Sequence, residues 1–242
     1  MTLQQSRTPR PADPTADRAP QSPPEARHRW RAFLQNWGAV VVLSAAALSV
    51  VAVLGEDVFN HAPGTLDAGV RAWALAHRTG ALLAAFSVVS FVGSPGGMFL
   101  VAALVALWLW RGQARHVAPV VVAAPAVAVA LFNVVKRLIH RTRPAGGLLL
   151  RDVTFSFPSG HATASAAVCG TLAWVLAREG KISRAAAVLL AVVPPLLIGF
   201  SRIYLDVHWT TDVLAGWCAG GAVAALSAGV YERGRRRRAH PA

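Results

Sequence analysis

Charge is scarce in this chain: Asp, Glu, Lys and Arg make up 14% of its 242 residues, against 55% hydrophobic residues and a mean hydropathy of +0.46. That balance excludes both a disordered polymer and an ordinary soluble domain. Negative charge is the scarcer kind, with 11 Asp and Glu against 24 Lys and Arg. The formal charge of +13 could suggest nucleic acid, but long uncharged runs separate the basic residues, so no nucleic-acid partner is expected. Cysteine is nearly absent. Cys169 and Cys218 each stand in an apolar stretch, which excludes a disulfide framework and a cysteine zinc site. The fold must be held by helix packing in lipid.

Apolar runs are what the chain has in abundance, and a crossing helix needs roughly 20 such residues. Residues 1–28, rich in Pro, Arg, Ser, Gln and Asp, read as a disordered cytoplasmic tail. Residues 37–54 form the first span, which is too long to be a cleaved secretory signal. The uncharged run 79–110 is interrupted by Gly93-Ser94-Pro95-Gly96-Gly97 and counts as one crossing. Its expected form is a helix over 95–110, with 81–92 packed beside the bundle or near the interface. Runs 116–135, 153–177, 185–201 and 213–231 complete an all-α integral membrane bundle of about six transmembrane helices over residues 29–231, followed by a basic cytoplasmic tail, 232–242. Pro119, Pro125, Pro194 and Pro195 suggest kinks rather than breaks. Gly216, Gly220 and Gly221, together with Ala162, Ala164, Ser165 and Ala166, suit the close backbone approach of membrane helix interfaces.

With the N-terminus in the cytoplasm, most of the 24 Lys and Arg fall inside, as expected for a protein of the cell membrane. Lys136, Arg137, Arg141, Arg143, Arg151 and Arg202 break that bias on the outer side. The Arg233 to Arg238 run needs no special reason beside anionic lipid.

Three short stretches stand at expected helix ends on this outer side. The first holds Lys136 and Arg143, seven residues apart, before Pro144. Alone it would read as interfacial snorkelling. The second is Pro158-Ser159-Gly160-His161 at a helix start, where backbone N–H groups form an anion seat. Ser159 offers a hydroxyl at the cap and Gly160 lets a ligand approach the main chain. The third, residues 201–212, adds Arg202, His208 and Asp212. If the last helix has begun by His208, that histidine and Asp212 share a face, so the carboxylate can orient the imidazole. Taken together, three cations, a helix N-terminus, two histidines and a carboxylate suit a phosphoryl group. One neutral imidazole can attack phosphorus while the other donates a proton to the leaving oxygen.

These stretches resemble the motifs of the type 2 phosphatidic acid phosphatase superfamily, which includes bacterial lipid phosphate phosphatases and vanadium haloperoxidases. Lys136 to Pro144 is similar to its first motif, Pro158 to His161 to its second, and Ser201 to Asp212 to its third. The resemblance implies that His208 is the nucleophile forming a phosphohistidine, Asp212 its orienter and His161 the general acid. It implies that Lys136, Arg143, Arg202, Ser159 and the Gly160 amide hold the phosphoryl oxygens. It implies no metal or other cofactor, and the chain shows no clustered carboxylates for one. The expected activity is a membrane phosphatase acting on a phosphorylated membrane lipid such as phosphatidic acid, phosphatidylglycerol phosphate or undecaprenyl diphosphate, at the extracytoplasmic face and with no obligatory protein partner. A haloperoxidase is disfavoured by the spans. The competing class is a lipid or phosphate transporter or binding protein, which would use the same anion seat without a His208–Asp212 pair. His140 and Arg141 lie at variable positions of the first motif and either touch the head group or face water. Asp206 is expected to pair with Arg202 or another local Arg. His28, His61, His77, His116 and His240 are read as partnerless loop or tail residues.

Overall fold

The computed structural model describes residues 44, 49–53, 64–112, 114–146 and 155–239. Its elements in order are α1 (Thr65–Ala76), α2 (Gly80–Val92), α3 (Pro95–Arg111), a 3-10 turn (Arg115–Val117), α4 (Ala118–Ile139), α5 (Gly160–Arg178), α6 (Arg184–Tyr204) and α7 (Thr210–Ala239). Every described element is helical, as the apolar runs require. Among the described residues four helices are long and apolar enough to cross a membrane, Arg115–Ile139, Gly160–Arg178, Arg184–Tyr204 and Thr210–Ala239. The bent pair α2 and α3, turned by 55°, would make a fifth. Most of the expected first span, and all of the tail 1–28, lie outside the described residues.

The break between α2 and α3 is written in the sequence. Ser94 caps α3 by accepting from the Gly97 N–H at 3.0 Å, and Pro95 opens that helix, where a missing N–H costs nothing. Gly93 fits because a Cβ there would meet the Ile198 side chain at 2.5 Å. Pro125, Pro194 and Pro195 lie inside continuous helices, as expected, whereas Pro119 sits in the first turn of α4. Near the double proline, Trp217 Nε1 donates to the Pro195 carbonyl at 3.0 Å.

The central helix is α5, which packs most extensively on α7 and α6. Close approach to α7 depends on glycine. A Cβ on Gly216 would lie 2.8 Å from both the Ala162 Cβ and the Ser159 carbonyl oxygen, and one on Gly220 would strike the Thr163 carbonyl and lie 2.7 Å from the Ala166 Cβ. Gly221 faces open space and takes no part in this contact.

α5 begins at Gly160, with Ser159 as the residue before it, so the Pro-Ser-Gly-His stretch opens a helix as expected and the uncharged run from 153 enters it through Pro158. One element departs from the sequence reading. α1 was not expected: at 12 residues it is too short to cross, and it packs against α6 and α7. α7 runs without a break from Thr210 through the basic segment to Ala239.

Helix alternation sorts the two ends of the bundle. α4 and α6 end where α5 and α7 begin, and all three motif stretches gather at that end. The other end has its own polar set, in which Arg178 pairs with Glu232 at 2.6 Å and the Tyr231 hydroxyl donates to Glu179 at 2.7 Å.

Candidate active site

His208 lies in the short link between α6 and α7 and is almost fully buried. α7 begins at Thr210, after His208, so the two residues do not share a helical face as expected. They meet anyway. Asp212 sits in the first turn of α7 and turns back toward the link, where its Oδ2 accepts from the Trp209 N–H at 2.9 Å and faces His208 Nδ1 at 3.2 Å. This is one half of a capping box, with a carboxylate in the first turn closing on the N–H that precedes the helix. The same Oδ2 accepts from the Ser156 hydroxyl, which also lies 3.3 Å from His208 Nδ1.

The other face of the imidazole meets cations. Arg143 Nη1 stands 3.1 Å from His208 Nε2 and donates to the Val207 carbonyl at 2.7 Å. Burial is the main cause that pushes the His208 pKa down, to about 3; the Asp212 hydrogen bond opposes it, and the charges of Arg143 and Arg202 add to it. The ring is therefore neutral at physiological pH, with Asp212 on Nδ1 and the Nε2 lone pair on the cation side.

His161, in the first turn of α5, is partly buried and within electrostatic reach of Arg202, His208, Arg143 and Lys136. The three stretches thus converge on one place. Arg202 is buried, and its Nη1 donates to the Ser90 hydroxyl of α2. Lys136 Nζ donates to the carbonyls of Phe155 and, at 3.3 Å, Ser156, which ties the end of α4 to the segment that enters α5. Ser159 does not cap α5 with its hydroxyl as expected. Its Oγ is fully buried with no hydrogen-bond partner among the described residues, a costly arrangement for a polar atom unless a ligand supplies the partner. Gly160 packs closely, since a Cβ there would press on the Phe132 ring at 3.2 Å and the ring would have to give. The Ser159 N–H donates to the Asp212 carbonyl at 2.9 Å, joining the starts of α5 and α7.

Several site residues lay beyond sequence reasoning. Arg141 neither faces water nor points outward: it bridges Asp212 Oδ1 and Asp67 Oδ2, each at 2.6 Å. Asp206 pairs with Arg71 of α1 at 2.7 Å, not with Arg202. Two guanidinium groups lie over the Trp209 ring, Arg71 at 5.7 Å and Arg141 at 5.4 Å from its centre, and the Trp209 Nε1 donates to the Thr142 carbonyl at 3.0 Å. The available signal was scarcity, because with so few carboxylates each one on the motif side is a candidate partner for a buried cation. His140 ends α4 in a left-handed conformation with its ring edge-on to Phe155. His77 stacks on Trp73 and His116 approaches Glu179 at 3.5 Å, so neither lacks a partner.

A family model described as the PAP2 superfamily matches residues 118–236, the stretch that contains all three motifs. Decaprenylphosphoryl-5-phosphoribose phosphatase of Mycobacterium tuberculosis is 32% identical over 171 residues, covering 68% of this chain and 90% of that protein. The chain belongs to the PAP2 superfamily. Another relative, phosphatidylglycerophosphatase B of Bacillus subtilis, is 36% identical over 110 residues, 44% of this chain, and the chain spans only about half of it, 54%. The fold is shared with the crystal structure of a transmembrane PAP2-type phosphatidylglycerolphosphate phosphatase from Bacillus subtilis, at TM-score 0.72 and 22% identity, covering 78% of this chain and 96% of that one. The chain is accordingly a multi-pass membrane protein of PAP2 architecture.

Proposed function

We propose that this PAP2 protein is a phosphatase of the cell membrane that removes, without a metal, a phosphate monoester or the terminal phosphate of a diphosphate from a lipid. The observation that carries this reading is the two-faced setting of His208, with Asp212 at Nδ1 and the cation cluster at Nε2. The relatives' names, a phosphatidylglycerophosphatase and a decaprenylphosphoryl-phosphoribose phosphatase, support a lipid-borne phosphate. Excess positive charge on the opposite, tail-bearing side supports cytoplasmic termini and an extracytoplasmic site.

With Nδ1 protonated and donating to Asp212, His208 attacks phosphorus through the Nε2 lone pair. As the N–P bond forms, the P–O bond to the lipid breaks, and the departing oxygen takes a proton from the His161 imidazolium. Lys136, Arg143, Arg202, the Ser159 hydroxyl and the Gly160 N–H surround the remaining phosphoryl oxygens, where charge builds in the transition state. Arg143 leaves Nε2 for a phosphoryl oxygen when substrate enters. Water then attacks the phosphohistidine and gives a proton to neutral His161; the N–P electron pair returns to His208, and inorganic phosphate departs.

The test is phosphate release by purified protein in detergent from phosphatidic acid, phosphatidylglycerol phosphate and undecaprenyl diphosphate, with EDTA present. Wild type is expected to turn over at least one lipid and His208→Ala none. Lipid binding by folded wild type without turnover on any of the three would overturn the enzyme reading in favour of a binding or transport protein.

A further inference from the structure

Asp67 belongs to none of the three motifs, yet α1 presses it into the site. Its side chain is 2% exposed, that of Arg141 8% and that of Asp212 0%. Arg141 Nη2 donates to Asp67 Oδ2 at 2.6 Å, and its Nη1 donates to Asp212 Oδ1 at 2.6 Å and to the Thr211 hydroxyl at 2.7 Å. Asp67 also accepts from the Thr211 N–H at 2.9 Å and lies 2.8 Å from the Thr211 hydroxyl oxygen. Both ends of the bridge are thus fixed on the first turn of α7, one residue from Asp212 and three from His208.

Burying such a chain of charges is expensive and is weak evidence for stability alone. Its electrostatic effect is specific. Asp212 paired only with Arg141 would form a neutral couple, of little use to a histidine that becomes positively charged when phosphorylated. Adding Asp67 gives the trio a net charge of −1. We infer that Asp67 and Arg141 are positioning residues that clamp Asp212 against His208 and keep one net negative charge beside its Nδ1, so that α1 completes the site. This inference rests on the phosphatase reading above.

The remaining charged and titratable groups around His208 are Arg143 after α4, Arg202 on α6 and His161 on α5, with Lys136 of α4 acting on His161. Apart from His161 they are cations, so Asp212 is the carboxylate that meets His208 and Asp67 is what keeps it uncompensated. Loss of the Asp67 charge leaves Arg141 to cancel Asp212, and the positively charged phosphohistidine and the transition state leading to it lose stabilisation.

The experiment measures kcat, KM and trapped phosphoenzyme on the lipid of the panel that wild type hydrolyses fastest. Asp67→Asn is expected to lower kcat about tenfold or more, with KM within about threefold and less phosphohistidine at steady state. Asp67→Glu should retain most activity. The double variant Asp67→Asn, Arg141→Gln restores the net charge and should be faster than Asp67→Asn alone; a purely structural clamp predicts the opposite order. A folded Asp67→Asn within twofold of wild type, or a double variant no faster than the single, overturns the inference. If Asp67→Asn does not fold, Asp67→Ser, which also removes the charge, takes its place with the same expected kcat loss and the same rescue by Arg141→Gln; a folded Asp67→Ser within twofold of wild type, or no rescue, overturns the inference. Turnover by wild type and none by His208→Ala keeps the phosphatase reading intact in either case, whereas a silent wild type takes both down.

Discussion

His208 joins two demands that pull against each other. Catalysis as proposed needs a neutral ring with a free Nε2, and burial supplies it by pushing the pKa down to about 3. Unfolding returns the ring to water, where it binds a proton near pH 6.5. Between those two values the unfolded chain holds more protons than the native one, so native stability falls as pH falls. The contribution is fully present above about pH 6.5 and is lost at a rate approaching about 1.4 kcal/mol per pH unit on the way to pH 3. Thermal midpoints in detergent from pH 7 to 4 should therefore decline more steeply for wild type than for His208→Asn, which has nothing to titrate at that position. Equal slopes would mean that the ring is not held neutral by burial. Ser159 shows the same economy on a smaller scale: its buried hydroxyl closes no hydrogen bond among the described residues, so it is available to a phosphoryl oxygen.

At the scale of elements, the site is built where the start of α5 meets the start of α7, and that meeting is a backbone contact. Gly216 lies against the Ser159 carbonyl at the start of α5, whereas Gly221 borders open space. Gly216→Ala should therefore force the two helices apart, with a cost of about 1–3 kcal/mol in stability and a matching loss of turnover, and Gly221→Ala should leave both near wild type. Paired thermal and kinetic measurements decide it, and equal tolerance of the two substitutions would mean that helix approach does not set the geometry. The reason this contact and the motif residues were legible in the sequence is that both depend on local spacing. Glycines four apart mark a helix seam, and Lys136, Arg143, His161, Arg202, His208 and Asp212 sit at fixed offsets from helix ends. α1 was not legible for the converse reason. Its 12 residues are too few to stand out as a crossing helix, and what makes it matter, Asp67 on Arg141 and Arg71 on Asp206, joins residues 74 and 135 apart in sequence. The placing of His208 outside α7 was missed for a similar reason, since a capping carboxylate brings it to Asp212 as effectively as a helical turn would have done.

The whole molecule has two chemically different ends. One gathers the cations and histidines of the proposed site at the mouths of four helices, and the other carries Arg178, Glu179, Tyr231 and Glu232 in mutual contact, followed by the exposed arginines of α7. Because α7 continues as one helix from Asp212 to Ala239, the two ends are rigidly joined, and fixing the side of one fixes the side of the other. In the proposed orientation, which rests on the bias of Lys and Arg, the arginine end is cytoplasmic and phosphate release would take place outside the membrane barrier. Single cysteines test this in a variant with Cys169 and Cys218 replaced by Ala. His140 is exposed at the site end and Arg237 at the other, so His140→Cys should react with a membrane-impermeant maleimide on intact cells and Arg237→Cys only after permeabilisation. The reverse pattern would put the site in the cytoplasm, and the enzyme would then draw its lipid from the inner leaflet. A label reaching both positions on intact cells would show that α7 does not cross as a single rod, and the helical link between site and tail would no longer order the bundle.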